Sequence, residues 1–325
     1  MTQAHGGDLD AAMARFGGAP EAWLDLSTGI NPVPYPMPAL PPEAVSRLPT
    51  TQDITALERT AAETYKTRAP VLALAGAQAA IQLMPSLRTP GHARILAPTY
   101  SEHRIALEQA GWQVAEVPDP ADLRGADLAV IVSPNNPDGR QFAPQDLLQI
   151  AQSVSLLIVD ESFVDTQPEH SICRHLTPET PNILALRSFG KFYGLAGLRL
   201  GFAIGGTEAI AKLRRSAGPW QVSGPAIHAG RIALADRSWA ETTRTRLVED
   251  TTKLDSLATS QGWKLIGGTP LFRTYHTPNA ADAQQSLAQS HVWSRIFPYS
   301  DHWLRLGLPG TQADWAQLTA ALQAL

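Results

Sequence analysis

The sequence predicts an α/β protein in which a large domain on a mostly parallel sheet is followed by a small α+β C-terminal domain. Three observations predict it. Between residues 71 and 205 short apolar runs alternate with helical patterns, polar residues stand directly after several of those runs, and strand-like runs return only after a long helical interval. Near-continuous apolar strands separated by helices mark a sheet covered on both faces. In such sheets ligands sit beyond the carboxyl ends of the strands.

The apolar runs fall at residues 71–74, 94–97, 128–132, 156–159, 183–186 and 200–204, with helical patterns at 101–110 and 144–152 among them. After Gly206 the pattern is mainly helical to about Gln261. The last segment has strand-like runs at 271–275 and 303–306 and helical ones at 280–289 and 312–325. These transitions divide the chain into an N-terminal arm and start of the small domain (1–48), a large domain (49–235) and a small C-terminal domain (236–325). The stretch Asn31-Pro32-Val33-Pro34-Tyr35-Pro36-Met37-Pro38 must be extended, because each proline ring fixes φ and lacks a donor. Its composition favours a linker over an arm laid across the body.

Composition narrows the function. A formal net charge of -4 supplies no basic field for a nucleic-acid backbone. The single cysteine, Cys173, cannot form an internal disulfide, which fits a reducing compartment. Met1 to Asp10 carry acids and glycines where a signal peptide carries a basic patch and an apolar run. The most apolar stretch, 71–87, is broken by Gly76, Gln78, Gln82 and Pro85 and falls short of the roughly 20 apolar residues of a membrane span. The expectation is a cytoplasmic protein with no membrane segment and no nucleic-acid partner.

The chemistry-bearing residues stand at strand ends. Asp160 and Glu161 follow the run 156–159, Ser188 and Lys191 follow the run ending at Arg187, and Asn135-Asn136-Pro137-Asp138-Gly139 makes a turn after 130–132. Singly, each has a plain structural reading as a cap, a solvated amine or a turn. Together they bring a carboxylate, an amine and an amide to one crevice. Ser188-x-x-Lys191 also fits the penicillin-binding acyl-enzymes, but their Lys-Thr-Gly and Ser-Asp-Asn partners are absent from the sequence. The nine histidines show no His-Glu-x-x-His spacing for zinc.

The order of these motifs resembles the fold type I pyridoxal-phosphate enzymes, in the histidinol-phosphate aminotransferase-like branch. Within that branch the chain most resembles the threonine-phosphate decarboxylases of cobalamin biosynthesis. The resemblance spans nearly the whole chain. It is carried by His5-Gly6-Gly7, by Leu26-Ser27-Thr28-Gly29-Ile30-Asn31-Pro32, by the run from Arg187-Ser188-Phe189-Gly190-Lys191 through Leu198-Arg199-Leu200-Gly201, and by Pro219-Trp220. It implies pyridoxal 5'-phosphate as cofactor, with Lys191 condensing with its aldehyde and Asp160 pairing with its pyridine nitrogen. Asn136 would hydrogen-bond the phenolic oxygen and Tyr100 would stack on the ring. Gly76-Ala77-Gln78, Ser188 and Arg199 would hold the phosphate. His5, Asn31 and Arg305 would receive the acidic groups of a small phosphorylated amino acid. The implied assembly is a homodimer, and the rival activity within the fold is an aminotransferase for histidinol phosphate or an aromatic amino acid.

Three positions depart from the family pattern. Phe163 stands where relatives carry an aromatic hydroxyl, a loss of one hydrogen bond worth about 1 kcal/mol, and phenylalanine there is a feature of the decarboxylases. Asp138 replaces the usual threonine of the turn. The stretch 47–57 has no tyrosine to reach the phosphate of a neighbouring subunit.

Overall fold

The computed structural model describes residues 6–325. Its strands, in chain order, are β1 (Leu24–Asp25), β2 (Val71–Leu74), β3 (His92–Leu96), β4 (Gln113–Val117), β5 (Leu128–Val132), β6 (Leu157–Asp160), β7 (Ile183–Ser188), β8 (Gly201–Gly205), β9 (Lys264–Thr269), β10 (Phe272–His276), β11 (Val292–Trp293), β12 (Arg295–Phe297) and β13 (Ser300–Gly307). They fall in two compact units. One holds Tyr35–Asn136 and Arg140–Ala240, and the other holds the chain before Tyr35, Pro137–Gly139 and Glu241–Leu325. The chain passes between units at Pro34/Tyr35 and Ala240/Glu241 and, for three residues, at Pro137–Gly139; the sequence reading draws its boundaries at 48/49 and 235/236.

In the larger unit seven strands run in the order β2-β8-β7-β6-β5-β3-β4. All neighbours are parallel except around β8, which is antiparallel to both β2 and β7. The alternation of strands and helices therefore yields the mostly parallel sheet that the apolar runs predict. Leu128, Val130, Leu156, Ile158, Leu184 and Leu186 point to one face, where they pack with Ile81, Met84, Leu107, Ile210 and Leu213 of the covering helices. The intervening Ala129, Ile131, Leu157, Val159 and Ala185 are fully buried too, which is why these strands read as unbroken apolar runs.

From Tyr35 on, the proline-rich stretch is docked rather than a free spacer. Within this unit the Tyr35 amide donates to the Tyr193 carbonyl at 2.8 Å, its hydroxyl reaches Asp236 at 3.2 Å, and its ring meets Trp239 edge-on at 5.1 Å. A Cβ on Gly224 would lie 2.0 Å from the Ala44 carbonyl oxygen, so the following segment presses directly on the helix Gly224–Ala235. One buried tyrosine docks what composition alone makes a spacer.

The second unit contains a four-stranded antiparallel sheet, β12-β13-β10-β9, and a two-residue parallel pair, β1 with β11. Helices Arg237–Ser260, Ala280–Gln289 and Gln312–Gln323 accompany them; the last begins with a reciprocal capping box between Thr311 and Asp314. Among the described residues no helix is long and apolar enough to cross a membrane.

Candidate active site

Three neighbouring strand ends place the chemistry of the larger unit. Asp160 is the last residue of β6 and is 2% exposed. Side chains alternate along a strand, so Asp160 shares its face with Ile158, the face covered by the helix Glu102–Gln109. His103 of that helix meets Asp160 Oδ2 through Nε2 at 2.8 Å, while Ser162 donates to Oδ1 from its amide at 2.9 Å and its hydroxyl at 2.5 Å. Burial pushes the Asp160 carboxyl up, but the hydrogen bond and charge of His103, with the two Ser162 bonds, outweigh it and hold the group below its ordinary value. Asp160 is a buried carboxylate kept ionised.

Lys191 sits in the four-residue helix Phe189–Phe192 directly after β7. Its backbone is pinned by aromatic contacts: Phe189 stacks on Tyr193 at 4.4 Å, and Tyr193 stacks on Trp239 at 5.5 Å. The half-buried amine lies 5.8 Å from the centre of the Phe163 ring. After β5, Asn135 is consumed by structure, accepting from Thr99 Oγ1 at 2.6 Å and donating to the Pro98 carbonyl at 2.9 Å. Asn136 is half-buried in the turn that follows.

A third group of residues forms a backbone cradle. Ser188 of β7 and Leu74 of β2 both lie opposite Gly201 of β8, so Ser188 and the turn through Gly76 lie at one end of the sheet. Gly76, at φ +81°, precedes the helix Ala77–Leu83, and a Cβ there would lie 2.9 Å from Arg199 Nη2. A Cβ on Gly201 would meet Ala77 N at 2.4 Å and Gly76 C at 2.5 Å. The two glycines let the turn and the exposed Arg199 guanidinium close up on each other. Gln78 donates to Glu102 at 2.6 Å and accepts from the Tyr100 hydroxyl at 3.4 Å, tying the turn to the Tyr100 segment. The Tyr100 ring stands edge-on to His103 at 6.2 Å.

The second unit carries the residues expected to meet substrate. Arg305 of β13 is 6% exposed, donates to the Ser27 carbonyl at 2.6 Å, and lies over the Phe272 ring at 5.0 Å. Arg295 of β12 is its direct cross-strand partner. Burial first, and the charge of Arg295 second, lower the Arg305 pKa to about 10. Tyr299 and Asp25 act on the Arg305 guanidinium in the opposite direction. Asn31, 2% exposed, accepts from Arg246 Nη2 at 2.6 Å and from the Val33 amide at 3.1 Å. Gly7 donates to Ser27 Oγ at 2.7 Å, and a Cβ on Gly6 would lie 2.5 Å from the Ser27 carbonyl oxygen, so both glycines press on the residue that also anchors Arg305. His5 lies outside the described residues.

Sequence reasoning missed His103, Ser162, Arg295 and Arg246. His103 lies in the helix Glu102–Gln109 just after Tyr100, and nothing in the sequence pairs it with Asp160, 57 residues on. The contacts of Arg295 and Arg246 depend on strand register and on a helix 215 residues beyond Asn31.

The aminotransferase class I and II family matches residues 39–325. A threonine-phosphate decarboxylase from Sinorhizobium sp. is 42% identical over 326 residues, covering 98% of this chain and 97% of the relative. One from Pseudomonas aeruginosa is 41% identical over 325 residues, covering 98% and 96%. In fold, the chain is similar to histidinol-phosphate aminotransferase from Sinorhizobium meliloti in complex with pyridoxal-5'-phosphate, with a TM-score of 0.80 at 16% identity, over 99% of this chain and 94% of that one. The chain belongs to the aminotransferase class I and II family.

Proposed function

We propose that the protein is a pyridoxal-phosphate-dependent lyase that decarboxylates L-threonine O-3-phosphate to (R)-1-amino-2-propanol O-2-phosphate in cobalamin (corrinoid) biosynthesis. The observation that carries this reading is the likeness, over 98% of the chain, to two relatives named threonine-phosphate decarboxylase.

The residues of the larger unit fit the cofactor. A lysine amine, an ionised buried aspartate and a glycine-lined cradle with an arginine are the donor set that an aldehyde, a pyridine nitrogen and a phosphate require. When bound, the cofactor supplies an electron sink for the bond that breaks at the substrate Cα. Lys191 would hold the cofactor through its amine, and the same amine would serve to carry a proton for the substrate. Asp160 would keep a proton on the pyridine nitrogen, its carboxylate oriented by His103 and Ser162. Asn136 would serve the phenolic oxygen, Tyr100 the ring face, and Gly76, Ala77, Gln78, Ser188 and Arg199 the phosphate. Arg305, Asn31 and His5 take the anionic groups of the substrate. Anchoring would decide which substrate bond is presented for breaking, and a second anion on the substrate would give the protein a further handle for that anchoring.

We take the working form to be a cytoplasmic homodimer. Met37, Leu40, Val45 and Leu48, which follow the docked Tyr35, are large apolar side chains left exposed, as a surface awaiting a second copy would be.

The test supplies phosphothreonine without any keto acid and measures carbon dioxide over many turnovers, alongside histidinol phosphate with 2-oxoglutarate. Sustained release is expected. No release, with rapid glutamate formation from histidinol phosphate, would replace this reading by the aminotransferase one.

A further inference from the structure

We infer that Tyr35 is a positioning residue for Lys191: it acts through Tyr193 and fixes the end of the short helix on which the lysine stands. The inference rests on the assignment of Lys191 as the anchor of the cofactor and adds what holds that anchor in place.

A helix of four residues cannot hold itself, because so few backbone bonds do not offset the cost of ordering a first turn. Phe189–Phe192 also begins without a side-chain cap. Its start is fixed by β7, whose Ser188 pairs with Gly201 of β8. Its middle is fixed from behind, where a Cβ on Gly190 would lie 2.7 Å from Ala196 Cα. That leaves the C-terminal end, where the last carbonyls of a helix have no partner within it. The Lys191 carbonyl is met locally, by the Gly194 amide at 3.3 Å. The carbonyl of Tyr193, the residue that ends the helix, is met instead by the Tyr35 amide at 2.8 Å, from a segment far earlier in the chain.

The side chains close the same connection. The buried Tyr193 ring lies nearly parallel to Phe189 on one side and to Trp239 on the other, and Phe192 meets Tyr193 and Trp239 edge-on at 5.2 and 5.6 Å. Tyr35 sets its own ring edge-on against Trp239, and its hydroxyl donates to Asp236 Oδ2. The other oxygen of Asp236 accepts from the Trp239 amide at 3.0 Å, so Tyr35, Asp236 and Trp239 brace one another around Tyr193. Two of the places where the chain passes between units, Pro34/Tyr35 and Ala240/Glu241, are thereby fastened beside the lysine's helix. A tyrosine that only docked the arm would need no more than its ring. The backbone bond to the Tyr193 carbonyl ties that docking to the segment that carries the amine.

The experiment compares Tyr35→Leu, Tyr35→Phe and Trp239→Phe with the parent, each as apoprotein and with cofactor bound. Amide hydrogen exchange across residues 189–195 is measured in the apoprotein. The pH midpoint of the visible band of the bound cofactor, and kcat and KM for phosphothreonine, are measured in the loaded protein. Tyr35→Leu loses the ring that seats the amide, so exchange across 189–195 should quicken about tenfold while β5 and β6 exchange as in the parent. The band midpoint should move by roughly half a pH unit, because the surroundings of the amine change. Turnover should fall about tenfold with KM within about threefold, since the lysine is displaced and the substrate anchors are not. Tyr35→Phe, which keeps ring and amide, should restore all three readings to within about twofold of the parent. Should Tyr35→Leu not fold, Trp239→Phe, which loosens the same contacts with a smaller ring, decides by the same readings in the same directions. Parental exchange across 189–195 with a parental band would overturn the inference, and so would exchange that quickens equally in β5 and β6, which would make Tyr35 a stabiliser of the whole unit. Failure of the functional reading looks different: the parent itself would then show no visible band or no turnover of phosphothreonine, while the exchange comparison would still report on Tyr35.

Discussion

Asp160 and Glu161 are adjacent in the chain, both are acids, and both are completely buried, yet the protein treats them in opposite ways. Asp160 faces the helix that carries His103 and is held below its ordinary value once the His103 and Ser162 bonds offset the cost of burial. Glu161 points to the other face of the sheet. There Ser171 Oγ and the Ile172 amide donate to it at 2.6 Å each, and Arg187 reaches it at 3.2 Å. Burial nonetheless prevails over the Arg187 charge and these bonds, and the Glu161 carboxyl is pushed up. Arg187 also pairs with Asp165 and lies over the Tyr65 ring at 4.0 Å. A step of one residue at the end of β6 thus separates a carboxylate held in its charged form from an acid tied into the framework.

The comparison breaks most visibly at Arg187. Arg187→Met should cost about 3–5 kcal/mol of stability, because it strands Glu161 and Asp165 in the interior without their cation. Urea unfolding of parent and variant measures this, and a loss near zero would mean the lower network carries no weight. Asp160→Asn should do the reverse. It leaves the unfolding midpoint nearly in place while turnover falls about 10²–10³-fold, since an amide cannot hold the pyridine nitrogen protonated. Turnover within a few-fold of the parent would remove Asp160 from its role. His103→Phe should give a smaller catalytic loss, about tenfold, by removing one charge-assisted hydrogen bond from Asp160. A loss as large as that of Asp160→Asn would show instead that His103 acts on the substrate directly.

The smallest effect is on the pH dependence of stability, where the two acids should have opposite signs. A depressed value means that the contribution of Asp160 is complete above its ordinary pKa of 3.8 and is lost as pH falls through the folded value. A raised value means that Glu161 favours folding most when protonated, so stability falls as pH rises from its ordinary 4.5 through the folded value. On acidification the stability advantage of parent over Asp160→Asn should shrink, while parent should gain relative to Glu161→Gln. Unfolding measured between about pH 3 and 7 reads both slopes, and slopes of the same sign would erase the distinction.

The sheet was legible where burial is two-sided and obscure where it is not. The runs at β2, β5 and β7 are apolar at nearly every position because both faces are covered. β4 escaped notice because Gln113–Val117 is an edge strand with most of its residues at least partly exposed. β9 escaped for the same reason, with Lys264, Leu265 and Ile266 all exposed. Asp160, Ser188 and Lys191 could be found because a strand end precedes each of them. His103 could not, since its partner lies 57 residues away across the sheet. The proline-rich arm was misread because a single buried ring, Tyr35, decides between spacer and docked segment, and composition averages that ring away.

Gly201 has a consequence for reading other sequences. Its missing side chain leaves room for the backbone of Gly76 and Ala77 on one side and the Arg187 carbonyl on the other, with 2.8 Å the widest of these gaps to a Cβ. A relative that keeps the lysine, the aspartate and every arginine but carries alanine at this position would pass any search for charged motifs. It would still differ in backbone, because the turn through Gly76 and Ala77 could no longer close against the strand. In a survey of sequences the hydrogen at position 201 therefore reports a close backbone approach that no charged motif reveals.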